Sequence, residues 1–529
     1  MSQDKVAKHA VSVGLLTLLS RVLGYIRDSI NAALFGAGLV SDAYFVAFRI
    51  PNLLRDLVAE GSFTAAFVPT FSHTLEKEGE EKAWEVASLV LNLLVIFLVC
   101  IVALGIIASP FIVHVMAPNF SNTPHKAELT ILLTKILFPF IGFVSLSAFF
   151  MGILNSHKSF TLPALAPSLF NITMILTGRY ICPLFGADPQ NTIIGWSYGA
   201  LLGSLIQMGV QIPLVMKYGF KYSLKVSFTH PSVRRMFSLL FPAIVGLSVT
   251  QINLVINTII AAWGPDGSVT YLYYGNRLMQ LPLALFGISV ATVILPLLSQ
   301  QVARGSREEV RQLFSQAIRL VFFLILPASV GLCVLSYPIN SMLFRHGNFD
   351  SNDVSATALT SIYYSLGLFA YAGIRVTQTV YYAYLDTWTP LKIGLISIVL
   401  NIALNIAFIH PLSYCGPALA TSMSATVSFV FLLIFLRRKM QRIMGRQILL
   451  SFIKILFASG IMGLISYYFN NFSTNLLANS IGFEGNTFNQ LLEIIITISF
   501  SIIIYYILCI ILRIEERVSI TNLLRRKTL

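Results

Sequence analysis

The chain has 529 residues, of which 56% are hydrophobic and only 11% charged, with a mean hydropathy of +0.78 and a formal net charge of +14. Soluble domains carry about 25% charged residues, so this composition excludes a set of soluble enzyme domains and predicts an all-α polytopic membrane protein. No room is left for a sizeable water-soluble catalytic domain.

The residues Met1–Ala10 are basic and lead into an apolar stretch with no small-residue cleavage site behind it, which predicts a retained first helix and not a cleaved signal. A membrane span needs about 20 apolar residues. Candidate spans follow in chain order at 14–35 and 39–72, both unusually polar, then at 84–108, 130–154, 161–182 and 190–215. A second series covers 233–260, 268–300, 311–335, 356–385, 390–408 and 415–436, and two further spans cover 447–469 and 489–513. The reading is about fourteen transmembrane helices.

Cys100, Cys182, Cys333, Cys415 and Cys509 are scattered singly, without the paired spacing that a zinc site or a disulfide framework needs, so no metal and no cofactor is expected. With the N-terminus in the cytoplasm, most of the 36 Lys and Arg residues fall in inner loops and tails, and both termini are cytoplasmic. The densest inner clusters are Lys217, Lys221, Lys225, Arg234 and Arg235; Arg437, Arg438, Lys439, Arg442 and Arg446; and the tail with Arg525, Arg526 and Lys527. They adjoin spans, where anionic headgroups of bilayer lipids account for them, and nucleic-acid binding is not expected.

Displacing the chain by 228 positions lays Phe35-Gly36 on Trp263-Gly264 and Arg49 on Arg277. After a one-residue gap, Phe67-Val68-Pro69 falls on Ile294-Leu295-Pro296, and Pro163 on Pro390. Six spans per repeat is an even number, so the two copies share one orientation in the bilayer. The organisation expected is two pseudo-symmetric six-helix lobes, 1–225 and 226–440, followed by two extra helices and a basic tail over 441–529.

The charges of the first two spans are anomalous. Arg21, Arg27, Asp28, Asp42, Arg49, Arg55, Asp56 and Glu60 lie within helices where each charge costs about 2.5–3.5 kcal/mol, so they must face a wet cavity or one another. The pattern Arg-x5-Arg-Asp occurs twice, ending at Asp28 and at Asp56; at 100° per residue the first arginine and the aspartate share a face, with the second arginine about 120° away. Gly24 and Pro51 inside these segments predict bends. Several arginines in one cavity suit a phosphate or pyrophosphate, because the planar guanidinium makes bidentate contacts that lysine does not. Arg277 is the second repeat's counterpart of Arg49, and Arg375, in a tyrosine-rich span, is a secondary candidate.

Ser20-Arg21-Val22-Leu23-Gly24, Arg27-Asp28, Phe35-Gly36-Ala37-Gly38, Asp42-Ala43, Pro51-Asn52-Leu53-Leu54-Arg55, Ala59-Glu60-Gly61 and Phe67-Val68-Pro69 resemble the MurJ (MviN) family of lipid II flippases. The likeness continues through Asn276-Arg277-Leu278-Met279 to Leu295-Pro296. It implies the multidrug/oligosaccharidyl-lipid/polysaccharide (MOP, MATE-like) exporter fold and export of the undecaprenyl-pyrophosphate-linked peptidoglycan precursor across the bacterial cytoplasmic membrane. By matching motif it implies a central cavity built from Arg21, Arg27, Asp42, Arg55, Glu60 and Arg277, with Asp28 and Arg49 adjoining. The arginines, Arg49 included, are the candidate pyrophosphate contacts, and Asp28, Asp42, Asp56 and Glu60 are the acidic or gating candidates. Lipid II is then the substrate, other cell-wall synthesis proteins are candidate partners, and no covalent chemistry is needed. The membrane potential would drive an anionic cargo outward. Some relatives bind sodium through second-lobe carboxylates, but spans 233–260 and 390–408 contain no Asp or Glu, so sodium coupling is not expected.

Three other readings stand beside this one: an exporter of drugs or polysaccharide lipids with a similar fold, a membrane enzyme using polyprenyl pyrophosphates, and a transport-inactive scaffold. The exporter predicts fewer cavity arginines. The enzyme predicts catalytic carboxylates in sizeable outer loops, whereas these loops are short and hold no DxD, HExxH or P-loop pattern.

Overall fold

The computed structural model describes residues 3–481 and 487–517, so the tail with Arg525, Arg526 and Lys527 lies outside the described residues. Among the described residues there is no strand, and helix runs through every candidate span. Nine helical stretches among them are long and apolar enough to cross a membrane.

Two compact units emerge, one of Met1–Thr270 with His346–Asp350 and one of Tyr271–Arg345 with Ser351–Leu529. The first contains α1 (Gln3–Phe35), α2 (Leu39–Leu54), a π-helical turn at Arg55–Phe63, α3 (Thr64–Glu78), α4 (Glu80–Ile107) and α5 (Ser109–Met116). It continues with α6 (Pro124–Leu137), α7 (Pro139–Ser156), α8 (Thr161–Leu176), α9 (Pro189–Gly209), α10 (Ile212–Lys217) and α11 (Pro231–Ala261). The second contains α12 (Ser268–Pro282), a π-helical turn at Leu283–Ile288, α13 (Ser289–Ala303), α14 (Arg307–Val334), α15 (Ser336–Phe344) and α16 (Ser351–Leu366). It is completed by α17 (Leu368–Ala383), α18 (Trp388–Leu412), α19 (Gly416–Met440), α20 (Gly445–Ile481) and α21 (Thr487–Ile511).

The repeat is written into these boundaries. α4 and α14 begin and end 227 positions apart, α6 and α16 begin 227 apart, and so do α8 and α18, and α9 and α19. α11 is assigned to the second lobe by the repeat yet packs in the first unit, against α3 and the Arg55–Phe63 turn. The repeat boundary follows sequence descent, whereas the packing boundary follows side-chain partners, and the polar groups Gln251 and Thr258 of α11 find theirs in the first unit at Asp56 and Arg49.

The first unit's core is aromatic. Phe67, wholly buried, stacks on Phe63 and Phe71 at 5.3 and 5.5 Å and meets Phe149 at 5.1 Å. Such pairs add about 0.5–1.5 kcal/mol each beyond burial and fix α3 against α7 beneath the π turn. The segment after α10 is strapped to α4, where the Asn92 amide donates to the carbonyls of Ser223 and Lys225 at 2.9 and 2.7 Å. At the other end of the unit, Gly36 takes φ +62°, and a Cβ there would stand 2.5 Å from the Asn348 carbonyl oxygen. The positive φ and the close approach both require glycine, and they let Asn348 donate to the Ala33 carbonyl at 2.9 Å.

In the second unit α20 lies along α14, with α21 on α20. Tyr505 donates to the Phe323 carbonyl at 2.8 Å, and the Ser466 and Ser501 hydroxyls meet at 2.6 Å. Polar contacts of this kind hold helices together where lipid removes the hydrophobic incentive to associate.

Candidate functional site

Arg27 sits on the face of α1 that packs against α8. Its Nε and Nη2 donate to Asp28 Oδ1 at 3.0 and 2.6 Å, and its Nη1 donates to Asn171 Oδ1 at 3.1 Å. Asn171 in turn donates to the Ser20 carbonyl at 3.0 Å, which orients the amide so that its oxygen faces the guanidinium. The Phe170 ring lies 5.8 Å from the guanidinium carbon. Arg27 and Asp28 side chains are 17% and 5% exposed, so the cation is held in a polar socket within an apolar span.

The second motif builds the same pair in another setting. Arg55 Nε and Nη2 donate to Asp56 Oδ1 at 3.1 and 2.7 Å, and Gln251 Nε2 of α11 donates to Asp56 Oδ2 at 3.0 Å. Arg49 Nε donates to the Thr258 hydroxyl at 2.8 Å. Helical spacing puts the first arginine of each motif on the aspartate's face, but the pairs form between adjacent residues instead, Arg27 with Asp28 and Arg55 with Asp56. The arginine stem is long enough to fold back across the helix to the short neighbouring carboxylate, and Arg55 also opens the π turn, where 100° per residue no longer applies.

Arg21 is half-buried and makes no side-chain hydrogen bond or ion pair among the described residues. The Glu60 side chain lies outside the described residues, although its backbone belongs to the π turn. The two expected bends part company: α1 runs unbroken through Gly24, whereas Pro51 stands in the last turn of α2, directly before the helix widens.

Asp42, at the start of α2 and 1% exposed, is the most completely satisfied of these acids. Oδ1 accepts from the Thr270 N–H and hydroxyl at 3.0 and 2.8 Å, and Oδ2 from the Gly267 N–H at 2.8 Å and Lys126 Nζ at 3.2 Å. Lys126 also reaches Asp266 at 2.7 Å and stands 3.9 Å over the Phe120 ring. A lysine that sequence places in an outer loop is therefore 4% exposed.

Arg277 is half-buried on α12 of the second unit, in a stretch where Tyr271 donates to Asp353 Oδ1 at 2.9 Å. Arg375 is exposed on α17. Among the described residues no cluster of three His, Cys, Asp or Glu is placed to hold a metal ion. What the first unit offers chemically is the three guanidinium groups of Arg27, Arg49 and Arg55, each steadied by a carboxylate, amide or hydroxyl, and a phosphate can draw on such groups as charge-assisted donors.

Sequence reasoning missed the partners. Asn171 had a signal, as an amide alone in an apolar span, and Gln251 had another, as the first of three amides with Asn253 and Asn257 in one span. Lys126 had none, because a lysine three residues into a helix that follows a loop reads as solvated.

Comparison with known proteins gives the family and the fold. The family model described as "Lipid II flippase MurJ" matches residues 31–484. A Haemophilus influenzae protein described as "Probable lipid II flippase MurJ" is 36% identical over 467 residues, 86% of this chain and 91% of that protein. The "Lipid II flippase MurJ" of Burkholderia cenocepacia is 31% identical, covering 81% and 83% of the two chains. A solved structure of "Lipid II flippase MurJ, inward closed conformation" superposes with a TM-score of 0.77 at 30% identity over 95% of this chain and 99% of that one. An inward-facing multidrug MATE transporter of the MOP superfamily gives a TM-score of 0.66 at 13% identity over 82% and 98%, a likeness of fold alone.

Proposed function

The chain belongs to the lipid II flippase MurJ family, and from that premise we propose how its own residues carry the cargo. It is a multi-pass membrane protein that translocates lipid II, the polyprenyl-pyrophosphate-linked peptidoglycan precursor, by alternating access. The cytoplasmic (inner) membrane, cytoplasmic termini and the direction from inner to outer leaflet follow from the positive-inside bias and from where such precursors are made and used.

The observation that carries the reading is the double Arg–Asp motif of the first unit, with Arg27 held by Asp28 and Asn171, and Arg55 by Asp56. In the absence of cargo the carboxylates neutralise the arginines and make their burial tolerable. An arriving pyrophosphate offers more oxygens in bidentate geometry than one carboxylate does, so the guanidiniums exchange partners without leaving their sockets. Asn171, being neutral, keeps Arg27 oriented through the exchange. Arg21, Arg49 and Arg277 are proposed as further contacts of the pyrophosphate. Outward passage of an anion gains about 2.3 kcal/mol per charge per 100 mV, so the membrane potential supplies the drive and neither a cofactor nor covalent chemistry enters. Cell-wall synthesis proteins that make or use lipid II are the proposed partners.

The test is depletion of the protein in its own host, with lipid II accessibility at the outer leaflet as readout. Wild type is expected to restore export, and Arg27→Ala and Arg277→Ala to leave lipid II trapped inside at normal protein levels. Unchanged export during depletion would refute the reading.

A further inference from the structure

The helix pair α15–α16 of the second unit has its counterpart in α5–α6, 227 positions earlier. Ser109, Val113, Thr130 and Thr134 of the first copy stand where the second has Ser336, Asn340, Thr357 and Ser361. Three of these positions keep a hydroxyl. At the fourth, the buried apolar Val113 gives way to the wholly buried amide of Asn340. An amide so placed costs free energy unless its donor and acceptor groups both find partners.

Only the donor end of Asn340 finds them. Nδ2 donates to the Ser336 carbonyl at 2.8 Å and lies 3.4 Å from the Ser361 hydroxyl, whereas Oδ1 is buried without a partner among the described residues. Flipping the amide would set Oδ1 against the Ser336 carbonyl and orphan Nδ2 instead, so neither orientation satisfies both ends. Thr357, one turn before Ser361 on α16, is wholly buried too, and its hydroxyl likewise has no partner among the described residues. Its counterpart Thr130 donates to the Lys126 carbonyl four residues back, at 2.7 Å, the usual outlet for a hydroxyl within a helix. The two orphaned groups are neighbours through Ser361, whose hydroxyl donates to the Thr357 carbonyl at 2.8 Å. With Nδ2 committed to Ser336 and Ser361, Oδ1 is left on the Thr357 side.

The chemistry of the four side chains selects the occupant. An amide oxygen only accepts, and a hydroxyl both donates and accepts. A cation would find no carboxylate among the four, and a charge buried in a span without a counter-charge is expensive. A water molecule can donate to Oδ1 and accept from the Thr357 hydroxyl, and buried waters characteristically bridge polar groups left over by the protein. We propose that Asn340 and Thr357 hold one buried water molecule between α15 and α16. The first unit has no such site, because Val113 offers nothing to bind and Thr130 is satisfied by its own helix. The helix pair is therefore bridged by water in the second copy and packed dry in the first. This site is separate from the arginines assigned to lipid II and does not depend on that assignment.

The experiment is radiolytic hydroxyl-radical footprinting of the full-length protein in detergent and heavy-oxygen water, with side-chain oxidation read by mass spectrometry. A bound water is radiolysed in place, so it marks neighbouring side chains that bulk solvent does not reach. Phe344, one turn after Asn340, and Val354, one turn before Thr357, are wholly buried and serve as reporters. Phe67, equally buried in the aromatic core of the first unit, is the dry reference. Wild type is expected to carry heavy oxygen at Phe344 and Val354 well above the level at Phe67. Asn340→Val, which installs the residue of the first copy, should bring both reporters down to the Phe67 level. Thr357→Val removes the other anchor and should do the same, which keeps the test open where one of the variants does not fold. No excess label at the reporters in wild type, or an excess that persists in a folded variant, would overturn the proposal. A melting temperature raised by sodium chloride but not by choline chloride, in wild type and in neither variant, would identify a cation as the occupant and overturn it as well.

Discussion

The stretches Leu39–Glu78 and Ser268–Ala303 occupy the same place in the two repeats, and both break from α-helix into a π turn at matching positions, Arg55 and Leu283. In the first, the Ser62 hydroxyl donates to the Leu57 carbonyl; in the second, Ser289 donates to the Ala284 carbonyl at 3.2 Å, again five residues back. A proline precedes each break, Pro51 in one and Pro282 in the other, removing an N–H from the ladder. The backbone device is shared, but its chemistry is not. The first turn opens on the ion pair Arg55–Asp56, the second on Leu283-Ala284. Duplication kept the hinge-like widening, and only one copy was loaded with charge, so a π turn here is a way of shaping a membrane helix and the anion chemistry is a separate layer upon it.

The largest effect that would sharpen this contrast lies at the first unit's buried acid. Lys126→Ala should strand the Asp42 carboxylate and cost about 3–5 kcal/mol in thermal unfolding of the purified protein. The double variant with Asp42→Asn should recover much of that loss, whereas no recovery would mean that the lysine matters through packing alone. Next is the pair of matched positions. Arg55→Ala should cut lipid II export about 10- to 100-fold, as expected for a lost charged hydrogen bond, while Leu283→Ala should stay within about twofold. Comparable losses at both sites would break the distinction between shape and charge.

A smaller effect is expected at the positioning amide. Asn171→Leu removes the acceptor of Arg27 Nη1 and should lower export about fivefold, with protein level unchanged, and should make Arg27→Lys no worse on top of it. Additive losses would show that Asn171 does not act through Arg27. The smallest concerns the loop between α17 and α18 of the second unit. Burial alone would raise the Asp386 carboxyl, but hydrogen bonds from Lys439 and from the Thr389 N–H and hydroxyl outweigh it and hold the group below the usual aspartate range. A depressed carboxylate stabilises above its unfolded pKa and loses that stabilisation as pH falls through its folded one. Hydrogen exchange at residues 384–390 should therefore quicken only below about pH 4, with a contribution of about 0.5–1 kcal/mol, and Asp386→Asn should flatten the dependence.

The sequence by itself determined the all-helical membrane fold, the duplication and the concentration of charge in the first two spans, because apolar runs of span length, matched glycines and prolines at offsets of 228 and 227, and charges in costly places are all local or periodic signals. Even the one-residue gap in the repeat is legible between Arg49/Arg277 and Phe67/Ile294, and the two π turns narrow it to the stretch from Arg55/Leu283 to Ser62/Ser289. Only the tertiary structure decided who pairs with whom. Rotation along an ideal helix could not place Arg27 on Asp28, bring Asn171 from 144 residues away, set Gln251 of the second repeat's first helix on Asp56, or bury Lys126 against Asp42. Those contacts depend on which helix faces pack together, and a charge in a membrane span takes whichever polar partner packing delivers within reach, however distant in the chain.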